Sequence, residues 1–160
     1  MALRPSREDD LAWVTALERH PDNVPLIGQW TDDEHLRAIH RRDGWEHWII
    51  ERDGQPAGFV IAFDGRMFGG WIYVKRVLVA QKGRGTGTAA FGRLLEELAT
   101  RPGVKFVWLN VRQANLPAQA VYLRHGLSRF EPGEELAERL AQCGDVPGPG
   151  VMRMWRPLGE

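Results

Sequence analysis

The sequence predicts a mixed α/β or α+β domain. Three observations carry this: two helix-like stretches precede residue 45, alternating apolar runs around a turn signal follow, and the second half reads strand, glycine-rich turn, helix, strand, helix. That last order calls for a crossover between strands, right-handed as such connections nearly always are.

Each element has a local reason. In REDDLAWVTALERH (7–20), Leu11, Val14 and Leu17 recur at helical spacing, and Asp9 and Asp10 favour the positive end of a helix dipole. TDDEHLRAIHRR (31–42) starts with Thr31 as cap and Glu34 completing a capping box. HWIIERDGQPAGFVIAF (47–63) is two apolar runs around Asp-Gly, a hairpin signal, and WIYVKRVLVA (71–80) is a longer alternating strand with Lys75 and Arg76 in its middle. TAAFGRLLEELATR (88–101) returns to helical spacing through Ala90, Leu94, Leu95 and Leu98. KFVWLNV (105–111) is apolar enough for a strand covered on both faces. NLPAQAVYLRHG (115–126) has Asn115 as cap, Pro117 in the first turn and Gly126 as stop. EELAERLAQCG (134–144) reads as a further short helix, and GDVPGPG as a loop before a final VMRMW strand. The whole, residues 1–160, is expected to be one domain, since 160 residues can bury a core but do not hold two full ones.

Charge and composition exclude several classes. Lys plus Arg number 21 and Asp plus Glu 21, so no overall basic field exists to gather nucleic acid, and an anion site has to be local. No apolar run approaches a membrane span, and MALRPSREDD carries charges where a secretory signal needs an apolar core, so a cytoplasmic location and no membrane partner are expected. One cysteine, Cys143, cannot form an internal disulfide and is read as inert. His20, His35, His40, His47 and His125 lack metal-ligand spacing; no metal site is expected, and the histidines are assigned to the surface or a groove.

The stretch VAQKGRGTGT (79–88) places Gly83, Gly85 and Gly87 at alternate positions between a strand and a helix start. Glycines can serve a tight turn alone. At a helix start, however, backbone N–H groups lack partners and the dipole favours an anion, while absent Cβ atoms let a ligand approach. Lys82 and Arg84 add cationic side chains suited to phosphate. The ATP/GTP loop is excluded because no Lys-Ser or Lys-Thr follows, and the dinucleotide fingerprint because the spacing is G-x-G-x-G with no acidic residue where one is required. Kinase and serine-hydrolase motifs are absent.

KGRGTG instead resembles the acyl-CoA pyrophosphate loop of the GNAT superfamily of N-acetyltransferases, with Lys82 where Gln or Arg is usual. A second block agrees: Asn115, Ala118 and Tyr122 stand as N-x-x-A-x-x-x-Y, followed by Arg124, His125, Gly126 and Leu127. The match is good over roughly residues 71 to 130. The resemblance implies a mixed, mostly antiparallel sheet flanked by helices, with a splayed strand pair that accepts the pantetheine arm as a pseudo-strand. Acetyl-CoA would be the cosubstrate. Val77, Leu78 and Val79 would offer main-chain contacts to pantetheine, with the strand ending in a bulge. Lys82, Gly83, Arg84, Gly85, Thr86, Gly87 and Thr88 would cradle the diphosphate; Asn115 serves as cap, as ligand contact, or both, beside Ala118. Tyr122, which could also be plain packing, is assigned as general acid, protonating the departing thiolate. The resemblance leaves the general base unnamed: Tyr73 stands near where many relatives carry Glu, and Glu51 or a water chain are the candidates. The acceptor is an amine, of a small molecule or a protein, met in a ternary complex; residues 20–30 and 131–150 would frame its groove, with Trp30 and Trp45 as walls or core. A homodimer is compatible with this reading. The rival reading is a non-catalytic acyl-CoA-binding regulatory module.

Overall fold

A computed structural model describes residues 1–142 and 146–158. One seven-stranded sheet runs through it: β1 (Ala2–Pro5), β2 (Trp45–Arg52), β3 (Gln55–Gly65), β4 (Trp71–Val79), β5 (Phe106–Arg112), β6 (Ser128–Arg129) and β7 (Val151–Pro157), in spatial order β1-β2-β3-β4-β5-β7-β6. Every neighbouring pair is antiparallel except β4 with β5. The helices are α1 (Leu11–Glu18), α2 (Asp32–Ile39), the single turn α3 (Arg66–Gly69), α4 (Thr86–Ala99), α5 (Leu116–Arg124) and α6 (Glu134–Leu140).

Strand alternation sorts side chains to the two faces. Trp48, Ile50, Val60, Ala62, Ile72 and Val74 form one core with Phe91, Leu94 and Leu98 of α4 and Tyr122 of α5. Ile49, Phe59 and Ile61 point the other way and pack with Val14 of α1 and with Leu78. A third cluster, Phe63, Trp71, Tyr73 and Trp108, closes under Leu140 of α6. The sheet is thus a middle layer with helices on both faces.

Local signals predicted most boundaries. The Thr31 and Glu34 box is present, with Glu34 N–H donating to Thr31 Oγ1 at 3.2 Å and Thr31 N–H to Glu34 Oε1 at 3.0 Å. Asn115 Oδ1 accepts from Ala118 N–H at 3.3 Å, and Gly126 ends α5 at φ 83°. The expected helix over 7–20 is shorter: Glu8–Asp10 is a 3-10 turn, and α1 proper begins at Leu11. Two strands escaped the sequence reading. β1 is four residues long and carries Arg4 and Pro5, as an edge strand tolerates, and only Leu3 packs against a core. β6 has two residues. Cys143 and part of the expected GDVPGPG loop lie outside the described residues.

The bulge lies elsewhere than expected. Val60 pairs Val77, Ile61 pairs Arg76, and Ala62 pairs Val74, so Lys75 is the extra residue in the middle of β4 rather than at its end. Simple alternation through Lys75 and Arg76 therefore fails. Before the bulge Ile72 and Val74 face α4; after it Val77 and Val79 do. Lys75 and Arg76 consequently both point to the α1 and α2 side, Lys75 over the Trp30 ring at 5.4 Å and Arg76 onto Glu18.

Gly58 of β3 shows how tightly β4 is held: a Cβ there would stand 2.3 Å from the Leu78 carbonyl oxygen and 3.1 Å from Val79 Cα. Backbone cannot move aside as a side chain can. Gly58→Ala is expected to lower stability by about 1–3 kcal/mol, read as a lower denaturant midpoint with an unchanged slope.

Candidate active site

β4 and β5 pair only through Trp71 with Phe106, Ile72 with Val107 and Tyr73 with Trp108. Beyond Tyr73 the strands part, and no strand of the described residues pairs with the β5 side of residues 74–79. The opening is a cavity of about 280 Å³. Val77 and Arg76 line it from β4, Asn110 and Arg112 from β5, Asn115, Ala118 and Tyr122 from α5, and Leu26 to Gly28 from the α1–α2 connection. Four residues singled out from sequence, Val77, Asn115, Ala118 and Tyr122, therefore meet at one opening. Leu78 sends its side chain into the α1 core and Val79 packs toward α4, so their part at the gap can only be main-chain.

The glycine turn follows β4 directly. Gly83 and Gly85 have φ of 77° and 75°, left-handed values that favour glycine, and a Cβ on either would meet nothing within 4 Å. Gly85 caps α4, so the amides of Thr86, Gly87 and Thr88 lie in the first turn, where no intrahelical acceptor exists. The turn is braced from the β2–β3 hairpin: Arg52 Nη1 donates to the Arg84 carbonyl at 3.1 Å and to Thr86 Oγ1 at 2.8 Å. That brace was not foreseen, because Arg52 is separated from the turn by the whole of β3 and β4. Lys82 and Arg84 are exposed, and Arg84 and Thr86 border a second opening of about 220 Å³ beside Arg52.

Tyr122 is buried against Phe91, ring centroids 5.0 Å apart. Burial disfavours the phenolate and pushes its pKa up to about 12. It therefore enters any reaction near neutrality carrying its proton.

On the other wall the structure corrects the expectation for histidines. His35 and His47 are completely buried, not in a groove. Glu18 Oε1 accepts from His35 Nε2 at 3.0 Å and from the Trp30 amide at 2.8 Å, while Oε2 accepts from Arg76 Nη1. His35 Nδ1 lies 3.3 Å from His47 Nε2, and His47 Nδ1 lies 2.6 Å from Ser6 Oγ. Burial and the nearby His35 push the His47 pKa down to about 3. For Glu18, burial acts upward, but the His35 hydrogen bond and the Arg76 charge outweigh it and hold the carboxyl below its usual range. Glu18, His35 and Arg76 were missed as a group; the one sequence signal was a cation inside an apolar strand. Glu51, considered as a base, instead accepts from Arg4 Nε at 3.0 Å across β1 and β2 and does not border the cavity. Trp30 and Trp45 pack edge to face at 5.1 Å against the α1 core and border a small opening beside Lys75. Among the described residues no cluster of three or more His, Cys, Asp or Glu could hold a metal, and no helix is long and apolar enough to cross a membrane.

A mostly antiparallel sheet whose one parallel pair opens beside a glycine turn at a helix start defines an α/β class of fold with a ligand gap between two strands. The chain matches the family model described as Acetyltransferase (GNAT) family over residues 10–127. Mycothiol acetyltransferases of Salinispora arenicola and Salinispora tropica are 34% and 33% identical over 146 residues, 81% of this chain and 44% of each of those proteins. The chain thus spans less than half the length of these curated relatives. Among solved structures, an aminoglycoside acetyltransferase AAC(6')-Ib in complex with coenzyme A superposes with a TM-score of 0.76 at 22% identity, covering 98% of this chain and 94% of that one. Spermidine N-acetyltransferase from Vibrio cholerae, in complex with CoA and spermine, gives 0.74 at 17% identity, covering 98% and 94%. The chain belongs to the GNAT acetyltransferase family.

An absorbance titration of wild type against the Tyr122→Phe variant isolates the Tyr122 phenol. Tyr122 is expected to ionise near pH 12, and the Tyr122→Phe variant to lack that step. An unfolded tyrosine ionises near 10, so its contribution to stability is present below pH 10 and lost as pH rises through about 12, visible as a falling Tm.

Proposed function

We propose that this chain is an acetyl-CoA-dependent N-acetyltransferase that moves the acetyl group directly to a primary amine in a ternary complex. The observation that carries it is the conjunction of a parallel strand pair that parts after three residue pairs with a left-handed glycine turn at the start of α4.

The residues present fit the cosubstrate. Pantetheine amides can pair with the open β5-facing edge of Val77, Leu78 and Val79 as an added strand. Lys82 to Thr88 offer first-turn amides, an open glycine face and two cations to the diphosphate. Asn115 and Ala118 border the same gap. Acetyl-CoA supplies the acyl group: the carbon–nitrogen bond to the amine forms and the carbon–sulfur bond breaks. A main-chain N–H on β4 near the bulge stabilises the oxygen that gains charge. Tyr122, protonated at neutral pH, gives its hydroxyl proton to the leaving sulfur. The proton lost by the amine leaves through water, since no Asp or Glu stands among the described residues lining the cavity. Acceptor amines worth testing are those in the names of solved neighbours: aminoglycosides, spermidine and the alanine of a ribosomal protein.

The same lack of a carboxylate at the cavity wall favours one second reading, a module that binds acyl-CoA without transferring its acyl group. Thiol release from acetyl-CoA across the amine panel separates the two. Amine-dependent release supports transfer; tight CoA binding with no release by any amine supports the module.

Two substitutions follow. Tyr122→Phe is expected to lower kcat about 10-fold or more while CoA affinity stays within about twofold; unchanged turnover removes the acid role. Gly85→Val forces a β-branched residue to φ 75° and fills the open face. Its CoA affinity, by titration calorimetry, is expected to fall about 10-fold or more, from about 1–2 kcal/mol of backbone strain plus the blocked approach. Undiminished affinity in a folded variant shows that the glycines serve only the turn.

A further inference from the structure

We propose that Glu18 is a positioning residue for acyl transfer: through Arg76 it holds the bulged segment Lys75 to Val77 in the conformation that borders the gap between β4 and β5. This rests on the acetyltransferase reading above.

The geometry is specific to the gap. Inserting Lys75 turns Arg76 toward α1, where its side chain is only 5% exposed and Glu18 not at all. A cation so placed needs a countercharge, and Glu18 provides it on the strand's far side from α4. The carboxylate cannot drift. Its other oxygen is held by the Trp30 amide and by His35, His35 is backed by His47, and His47 by Ser6. The carboxylate only accepts, so His35 donates to it from Nε2. One chain of bonds thus holds each side chain from Ser6 to Glu18 in place.

Arg76 also reaches the opposite wall. It lines the cavity itself, and a Cβ built on Gly28, another lining residue, would lie 3.7 Å from Arg76 Nη2. The Trp30 amide on Glu18 anchors the end of that same connection. Glu18 therefore ties the bulge of β4 and the Leu26–Trp30 segment to one point. Stability alone does not demand a charge there, because well-packed apolar side chains serve a buried position as well or better. What the pair adds is direction.

The experiment compares wild type with Glu18→Gln, the apolar double variant Glu18→Leu/Arg76→Met, and Glu46→Gln. The last breaks a partly buried pair with Arg41 and Arg101, away from the gap. Measured are Tm, amide exchange through residues 74–79, and kcat and KM for acetyl-CoA with an accepted amine. Glu18→Gln is expected to speed exchange at 74–79 and to lower kcat about 10- to 100-fold, with KM for acetyl-CoA within about twofold. The double variant is expected to regain Tm but not kcat, and Glu46→Gln to lose Tm but keep kcat. Recovery of wild-type kcat in the double variant overturns the proposal, as does a Glu18→Gln protein with unaltered exchange at 74–79. A wild type inactive with every amine, whose exchange at 74–79 still responds to Glu18→Gln, removes the acetyltransferase reading and leaves the clamp standing.

Discussion

The structure depends on an interruption of backbone pairing. In a sheet every N–H and C=O needs a partner, and strands buried between helical layers normally meet that need from end to end. Here β4 and β5 pair through Tyr73 and Trp108 and then diverge, so that no strand of the described residues covers the β5-facing side of Val77 to Val79. Such a gap is costly for a protein and well suited to a ligand that carries its own amides. The open edge and the glycine turn are continuous along the chain, so an extended ligand can run from one to the other without a break.

What keeps the strands apart is distributed over both faces. On the α4 side, Asn115, Ala118 and Tyr122 present one face of α5 to the opening, and Tyr122 is wedged against Phe91 of α4. On the α1 side, the extra residue Lys75 resets the alternation of β4, so Arg76 is buried where an apolar side chain would ordinarily stand. Removing one partner from a buried ion pair costs about 3–5 kcal/mol. The Glu18 carboxylate is thus bound up with the conformation of β4 itself. Arg52 plays a similar part for the glycine turn, taking up the Arg84 carbonyl and the Thr86 hydroxyl.

Much of the site was readable because its instructions are short-range. The left-handed φ values of Gly83 and Gly85 follow from alternate glycines between a strand and a helix. Asn115, Ala118 and Tyr122 fall on one side of α5 because they are three and four residues apart. The histidines were misjudged for the opposite reason. Nothing near His35 or His47 in sequence announces a partner, and an isolated histidine reads as a surface residue until Glu18 and Ser6 are brought beside it. The same holds for β1, a strand only because β2 offers it an edge.

The sequence alone determined the caps of α2 and α5, the hairpin at Asp53-Gly54, the glycine turn and the order of strands and helices around it. Each of these is decided by groups within a few residues of one another, whose sterics and hydrogen bonds act before any long-range contact forms. Only the tertiary structure decided the bulge at Lys75, the width of the opening beyond Tyr73 and the chain from Ser6 to Arg76. Those join positions as much as 58 residues apart. Whether a charge can be buried, and which way a strand must turn to bury it, depends on what the fold places opposite.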